Sequence, residues 1–195
     1  MSVRRTSGGG TMRDALERRV GWPVWAVTAA VFLVFLAVVL PAEADRSLEA
    51  LGTSEVPDSS LFYTAADLER LAGEYGGDGR AYYIRSRFTF DVVWPLAYGA
   101  FLQASLLVAS RRTVLGRLPG PVIAVPVVAV LFDMLENSSA SLVMARYPDP
   151  TPLVAAAAPV FTFTKWALIA ASFGLIAAGG IAGLVGRVRG HHRSG

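Results

Sequence analysis

The 195-residue chain contains no cysteine, which excludes disulfides, iron–sulfur clusters and zinc sites built from thiolates. Charge is also scarce, because only 17% of the residues are charged, against about 25% in an ordinary soluble domain. Hydrophobic residues make up 53% of the chain, and the mean hydropathy is +0.47. This balance excludes an intrinsically disordered protein and predicts that lipid surrounds much of a single domain.

Charge is nearly absent from four windows, and each window predicts a transmembrane helix. The first has an uncharged core of Trp22–Leu40, which as a helix is about 28 Å long and matches the hydrocarbon thickness of a bilayer. The sequence therefore predicts an all-α fold, a bundle of four transmembrane helices. The predicted spans are 22–41, 88–110, 121–144 and 153–186.

The first span has a second interpretation. Ala42-Glu43-Ala44 resembles a signal-peptidase site behind a basic tail, so the segment could be a cleaved signal peptide. The apolar stretch is longer than a typical signal sequence, and Trp22 and Trp25 suit the interfacial belt of an anchor. We therefore expect an uncleaved membrane anchor.

Arginine distribution predicts the orientation. The tail 1–21 contains five arginines, the loop 111–120 contains three with no acid, and the tail 187–195 contains three. The loop 42–87 instead contains nine acids against five arginines, and the loop 145–152 has one charge of each sign. The positive-inside rule therefore places both termini in the cytoplasm.

The same arginine bias, in so short a chain, is typical of a bacterial protein in the plasma membrane. The basic excess also favours contact with anionic lipid. No basic helix interleaved with aromatic residues is present, so we expect no nucleic-acid partner.

The predicted outer loop contains a helix signal. Thr64-Ala65-Ala66-Asp67 has the form of a capping box, and apolar residues at helical spacing follow it. We expect an amphipathic, extracytoplasmic helix at about 65–75. It is either a packing lid on the bundle or a gate over a binding site.

Four ionisable residues lie inside the predicted spans: Asp91, Asp133, Glu136 and Lys165. Each costs about 2.5–3.5 kcal/mol at the centre of a bilayer, so the four must face one another or water. Asp133, Glu136 and Asn137 lie on one helical face because their spacing is i, i+3, i+4. Lys165 is the single lysine of the chain.

These residues predict an intramembrane site for a lipophilic or cationic small molecule. The candidate ligand-binding residues are Asp91, Trp94, Tyr98, Asp133, Glu136, Asn137, Lys165 and Trp166. Three alternatives stay open: a purely structural polar network, a proton- or cation-coupled transporter acting as a homo-oligomer, and a lipid-acting enzyme. In the enzyme, Glu136 and Asp133 would perform acid–base catalysis with Lys165 as their electrostatic partner. No metal or cofactor motif is present, and we expect neither group.

The layout resembles the EXPERA group, which contains the emopamil-binding sterol isomerases and the sigma-2 receptor. The resemblance rests on the segment 63–75 and on further residues of the spans, namely Asp91, Trp94, Pro95, Tyr98, Phe101, Glu136 and Trp166. It implies a four-helix fold and a sterol or cationic amphiphile as ligand. Isomerase chemistry is not implied, because the second span has no histidine and Lys165 stands where the isomerases have an asparagine.

Overall fold

The computed structural model describes residues 20–57, 60–110 and 120–191, and every regular element within these ranges is helical. Four helical stretches are long and apolar enough to cross a membrane: Trp22–Leu51, Gly76–Ser110, Val125–Arg146 and Pro152–Gly183. The structure therefore confirms the predicted all-α class and the predicted number of helices with the length and composition to span a membrane. It is compatible with a polytopic membrane protein.

The first stretch comprises helix α1 (Trp22–Val34), a π-helical segment (Phe35–Val39) and helix α2 (Leu40–Leu51). In the π-helical segment the Leu40 N–H donates to the Phe35 carbonyl, five residues earlier. This wider turn immediately precedes Pro41, which has no N–H to donate. The helix ends at Gly52, whose φ of 71° suits a residue without a Cβ. The helical stretch therefore continues past the predicted end at 41, because residues 42–51 contain neither glycine nor proline.

Helix α3 (Ala65–Glu74) begins with a capping box. The Asp67 N–H donates to Thr64 Oγ1, and the Thr64 N–H donates to Asp67 Oδ2. One face of α3 is buried, and its members Leu68, Leu71 and Ala72 pack into the main apolar core. Tyr83, Met144 and Ala155 belong to the same core, so α3 covers one end of the bundle.

A turn at Gly76 (φ 63°) leads from α3 into α4 (Gly76–Phe88). Thr89 interrupts the helix, and α5 (Phe90–Ser110) follows, with Pro95 inside it. The predicted second span 88–110 therefore corresponds to α5, and α4 leads directly into it.

Helices α6 (Gly120–Ile123), α7 (Val125–Arg146) and α8 (Pro152–His191) complete the described chain. Helix α8 extends beyond the predicted end at 186 and passes through the glycines of its second half without a break. A helix satisfies its own backbone hydrogen bonds, which is the arrangement that a membrane favours.

The packing of the four long stretches positions the site. Helices α7 and α8 form the most extensive pair among the described elements, and α5 packs against both. Helix α1 packs mainly on α5 and has no fully buried residue. One side of α1 therefore faces the surroundings along its whole length.

The predicted cytoplasmic segments lie almost entirely outside the described residues. They are the tail 1–21, the loop 111–120 and the end of the tail 187–195.

Candidate functional site

Lys165 of α8 lies between two carboxylates of α7. Its Nζ is 2.5 Å from Glu136 Oε2 and 3.6 Å from Asp133 Oδ1. All three residues are at most 5% exposed. Their separation along α7 by three residues places both carboxylates on the face that α8 covers, as the i, i+3 spacing requires.

Asp133 has further partners on α5 and α7. The Tyr98 hydroxyl donates to Asp133 Oδ2 over 2.9 Å. Asn137 Nδ2 lies 3.4 Å from Asp133 Oδ1 and donates over 3.1 Å to the backbone carbonyl of Asp91. The polar network therefore joins α5, α7 and α8, and on α5 it extends over about two helical turns, from Asp91 to Tyr98.

Asp91 links the polar network to α4 through an ion pair with Arg87. Arg87 Nη1 lies 2.7 Å from Asp91 Oδ2, and the Arg87 guanidinium sits over the Tyr83 ring, 4.4 Å from its centroid. Arg87 is 6% exposed, so this is a buried ion pair. Sequence analysis missed Arg87 because it assigned this residue to the outer loop. Its i, i+4 spacing to Asp91, on a helical run that enters the second span, was the available signal.

Together the network contains three carboxylates and two cations. Asp91, Asp133 and Glu136 contribute −3, and Arg87 and Lys165 contribute +2, so the formal net charge is −1. Buried charges of this kind are tolerated only when they are paired and hydrogen-bonded, as these are.

A cavity of about 260 Å³ opens beside this network. Its polar lining consists of Asp91, Tyr98, Asp133 and Lys165, and its apolar lining of Phe32, Leu36, Trp94, Leu102, Trp166, Ile169 and Phe173. The volume is just below the range of about 300–1,000 Å³ that is usual for small-molecule sites. Most of the wall is apolar, with a few convergent polar groups, which is the usual composition of a ligand site.

Six of the eight candidate ligand-binding residues line this cavity: Asp91, Trp94, Tyr98, Asp133, Lys165 and Trp166. The other two do not line it: Glu136 contacts Lys165, and Asn137 contacts Asp133. They hold lining groups in place instead of facing the cavity.

The first span contributes to the wall, which sequence analysis did not anticipate. Phe32 of α1 stacks on Trp94, with ring centroids 5.7 Å apart, and Trp94 meets Tyr98 edge to face at 5.5 Å. Leu36 belongs to the π-helical segment and also lines the cavity. Since α1 is partly exposed along its whole length, the cavity wall is one helix thick on this side.

Near α3, a side-chain hydrogen bond joins the segment before this helix to α8. Thr162 Oγ1, one turn before Lys165, lies 3.1 Å from the Tyr63 hydroxyl, and Thr162 is fully buried. The segment that leads into α3 is therefore tied to α8 close to the charged network.

Within residues 20–57, 60–110 and 120–191, no group of three or more His, Cys, Asp or Glu side chains is placed to hold a metal ion. The chain matches no protein-family model, and comparisons with curated proteins and with solved structures return no match.

Proposed function

We propose that this protein is a polytopic membrane protein that binds a lipophilic amine in the cavity between α1, α5, α7 and α8. The observation that carries the proposal is the lining itself, in which two carboxylates, Asp91 and Asp133, and one cation, Lys165, face an aromatic wall. Aromatic faces attract cations, most strongly where water is excluded, and a carboxylate supplies the counter-charge. The same ligand class is implied by the resemblance to the EXPERA group.

The net charge of the network supports a cationic ligand. Among the five charged residues described above, carboxylates outnumber cations by three to two, which favours a cationic ligand over an anionic one. The remaining lining is apolar, with Leu36, Leu102 and Ile169 among its members, and suits an aliphatic or aromatic body. A molecule of this kind partitions into membranes, and the thin wall at α1 faces the surroundings.

Binding is better supported than acid–base catalysis. Glu136, one of the two predicted acid–base residues, contacts Lys165 and is absent from the lining of the cavity, whereas Asp133, the other, is part of that lining. A general acid or base must come within hydrogen-bond reach of its substrate. Only one member of the predicted acid–base pair is thus placed to reach a bound molecule, which favours binding over a mechanism that needs both.

The orientation belongs to the same proposal. Both termini and the loop 111–120 would face the cytoplasm, and α3 would lie on the opposite side of the plasma membrane. The arginine counts support this arrangement.

The test uses hexylamine and its uncharged analogue hexanol as probes. Purified protein in detergent micelles is titrated with each probe by calorimetry, and we expect saturable binding of the amine but not of the alcohol. Asp133→Asn should weaken amine binding by at least about tenfold, since it removes a charged partner of the ligand. Asp149→Asn makes the same chemical change at a site that is 74% exposed, and it should bind as the wild type does.

Equal binding of amine and alcohol, or an unchanged affinity in Asp133→Asn, would contradict the proposal. Absence of binding by both probes would favour the structural network instead. Native mass spectrometry of the purified protein adds an independent measurement, because a co-purifying amine would appear as a discrete mass increment.

A further inference from the structure

We infer that Leu61 and Phe62 insert into the lipid leaflet nearest α3 and anchor the start of this helix to the membrane. The inference rests on the proposed polytopic arrangement and does not depend on the amine site. It assigns a lipid contact to a segment that the arginine and acid counts place in an outer loop.

Leu61 and Phe62 are large apolar residues that the protein leaves exposed, Phe62 to 78% and Leu61 to 51%. A local turn holds the pair, because Ser60 Oγ accepts from the Phe62 N–H and donates to the Phe62 carbonyl. The next residue, Tyr63, is buried, and its hydroxyl lies 3.1 Å from Thr162 Oγ1. Contacts on both sides of Phe62 in the chain therefore hold its ring at the surface.

The Phe62 ring meets Phe163 of α8, with ring centroids 5.9 Å apart. Phe163 is itself exposed and belongs to a helix that is long and apolar enough to cross a membrane. The apolar surface of α8 thus continues onto the segment before α3. Leu and Phe are among the side chains that bury themselves at the boundary between headgroups and acyl chains.

The direction of α3 shows which of its ends lies nearer the membrane. Its start follows Phe62, which contacts Phe163 in the interior of α8. Its other end lies beside Tyr147, because a Cβ on Gly73 would be 2.9 Å from the Tyr147 hydroxyl. Tyr147 follows directly after α7. Helix α3 therefore runs from Phe163 towards the connection between α7 and α8, and its first residues are nearest the bilayer.

The outer face of α3 is charged. Arg70 forms ion pairs with Glu55 and Glu74, and all three residues are exposed. The opposite face of α3 packs in the same core as Ala158 of α8. Because exposed charges are costly in hydrocarbon, the part of α8 beside this charged face lies outside it. The hydrocarbon then ends near Phe163.

The lengths of the helices agree with this boundary. The predicted span 153–186 is about 51 Å long as a helix, whereas 163–186 is about 36 Å and a hydrocarbon core is about 30 Å thick. On the same scale α5 measures about 32 Å and Trp22–Leu40 about 28 Å. A boundary at Phe163 therefore brings α8 into line with the other spanning segments, and it places Phe62 at the edge of the lipid.

The test introduces single cysteines into the cysteine-free chain and labels each with a nitroxide. The full-length protein is reconstituted in vesicles of phosphatidylcholine and phosphatidylglycerol. Electron paramagnetic resonance then compares collisions of the label with oxygen, which concentrates in hydrocarbon, and with a water-soluble nickel chelate. We expect the oxygen-to-nickel ratio for Leu61→Cys and for Phe62→Cys to exceed several-fold that for Ser54→Cys, an exposed position between α2 and α3.

Leu153→Cys is the matched control, because Leu153 is also apolar and exposed but lies in the first turn of α8. We expect its label to favour nickel, since this turn stands beyond the hydrocarbon. Leu131→Cys, at an exposed position within α7, should favour oxygen and reports whether the helices cross the bilayer. Every labelled position is exposed, so the substitutions leave the core intact.

A label at Leu61→Cys or Phe62→Cys that meets nickel as readily as the label at Ser54→Cys would overturn the anchor. Oxygen preference at Leu131→Cys in the same series would leave the polytopic arrangement intact, and nickel preference there would overturn that arrangement itself. A Phe62→Cys label that neither reagent reaches, with dipolar broadening between labels, would overturn the anchor and show that a second copy covers this surface. Oxygen preference at Leu153→Cys would contradict the boundary at Phe163.

Discussion

The ammonium group of Lys165 lies 2.5 Å from a carboxylate oxygen of Glu136, and only 1% of Glu136 is exposed. This contact joins α7 to α8, the most extensive helix pair among the described elements. Lys165 also lines the cavity, together with Asp133. One buried ion pair therefore both holds the two helices in register and shapes the charged side of the candidate site.

Lys165→Met should destabilise the fold by about 3–5 kcal/mol, because it removes the cation from between two buried carboxylates. The double variant Lys165→Met/Glu136→Gln should recover part of the loss, since it neutralises the nearer of the two carboxylates, Glu136, and leaves Asp133 charged. Thermal denaturation in detergent, followed by circular dichroism, measures both. Arg146→Met serves as the control, because the Arg146 side chain is 58% exposed. A single variant as stable as the wild type would show that the pair makes no net contribution.

The spanning helices could be predicted because they depend on local composition. A helix in lipid needs an uninterrupted apolar stretch, and charge-poor windows mark such stretches directly. The end of the first helix could not be read in the same way. The segment 42–51 contains charged residues and is nevertheless helical up to Leu51. Composition indicates where the part of a helix that suits lipid ends, whereas the helix itself ends at Gly52.

The charged site could be predicted in part for a similar reason. Helical periodicity placed Asp133, Glu136 and Asn137 on one face, and the cost of buried charge required that this face meet another intramembrane charge or water. Periodicity does not tell which helix packs opposite another, or at what angle. The contribution of α1 to the cavity follows from that packing, and the sequence alone did not reveal it. The ion pair between Arg87 and Asp91 is instead a local i, i+4 contact, and it was missed because Arg87 was assigned to the outer loop.

Gly99 allows α5 and α7 to approach closely. A Cβ at this position would lie 2.5 Å from Val130 Cγ2, and a β-branched side chain has little freedom to move away. Gly99→Ala should therefore destabilise the protein by about 1–3 kcal/mol, and Gly99→Ala/Val130→Ala should restore most of the loss. Gly174→Ala is the control, because a Cβ there meets no atom within 4 Å. Equal melting temperatures for Gly99→Ala and Gly174→Ala would contradict the close approach.

The capping box of α3 predicts a dependence on pH. Hydrogen bonds from the Thr64 side chain and backbone lower the pKa of Asp67 below its usual value of 3.8. A carboxyl whose pKa is lower in the folded state stabilises the fold above its unfolded pKa, and this contribution is lost as the pH falls through the folded pKa. Asp67→Asn should therefore lower the melting temperature at neutral pH, and its difference from the wild type should shrink below about pH 4. Glu69→Gln, an exposed position on the same helix, should show no such convergence.

The absence of cysteine gives a direct test of the proposed orientation, because single cysteines can be introduced without a background signal. We expect Ser54→Cys, at an exposed position between α2 and α3, to react with a membrane-impermeant maleimide in intact cells. Thr113→Cys, in the arginine-rich loop 111–120, should react only after the cells are permeabilised. The positive-inside rule predicts both outcomes, because it places the arginine-rich loop in the cytoplasm and the loop that contains Ser54 outside. An odd number of crossings separates these two loops, so the two cysteines must lie on opposite sides of the membrane. The reverse labelling pattern would show that the protein has the opposite orientation in the membrane. Labelling of both sites in intact cells would show that the helices between them do not cross the membrane.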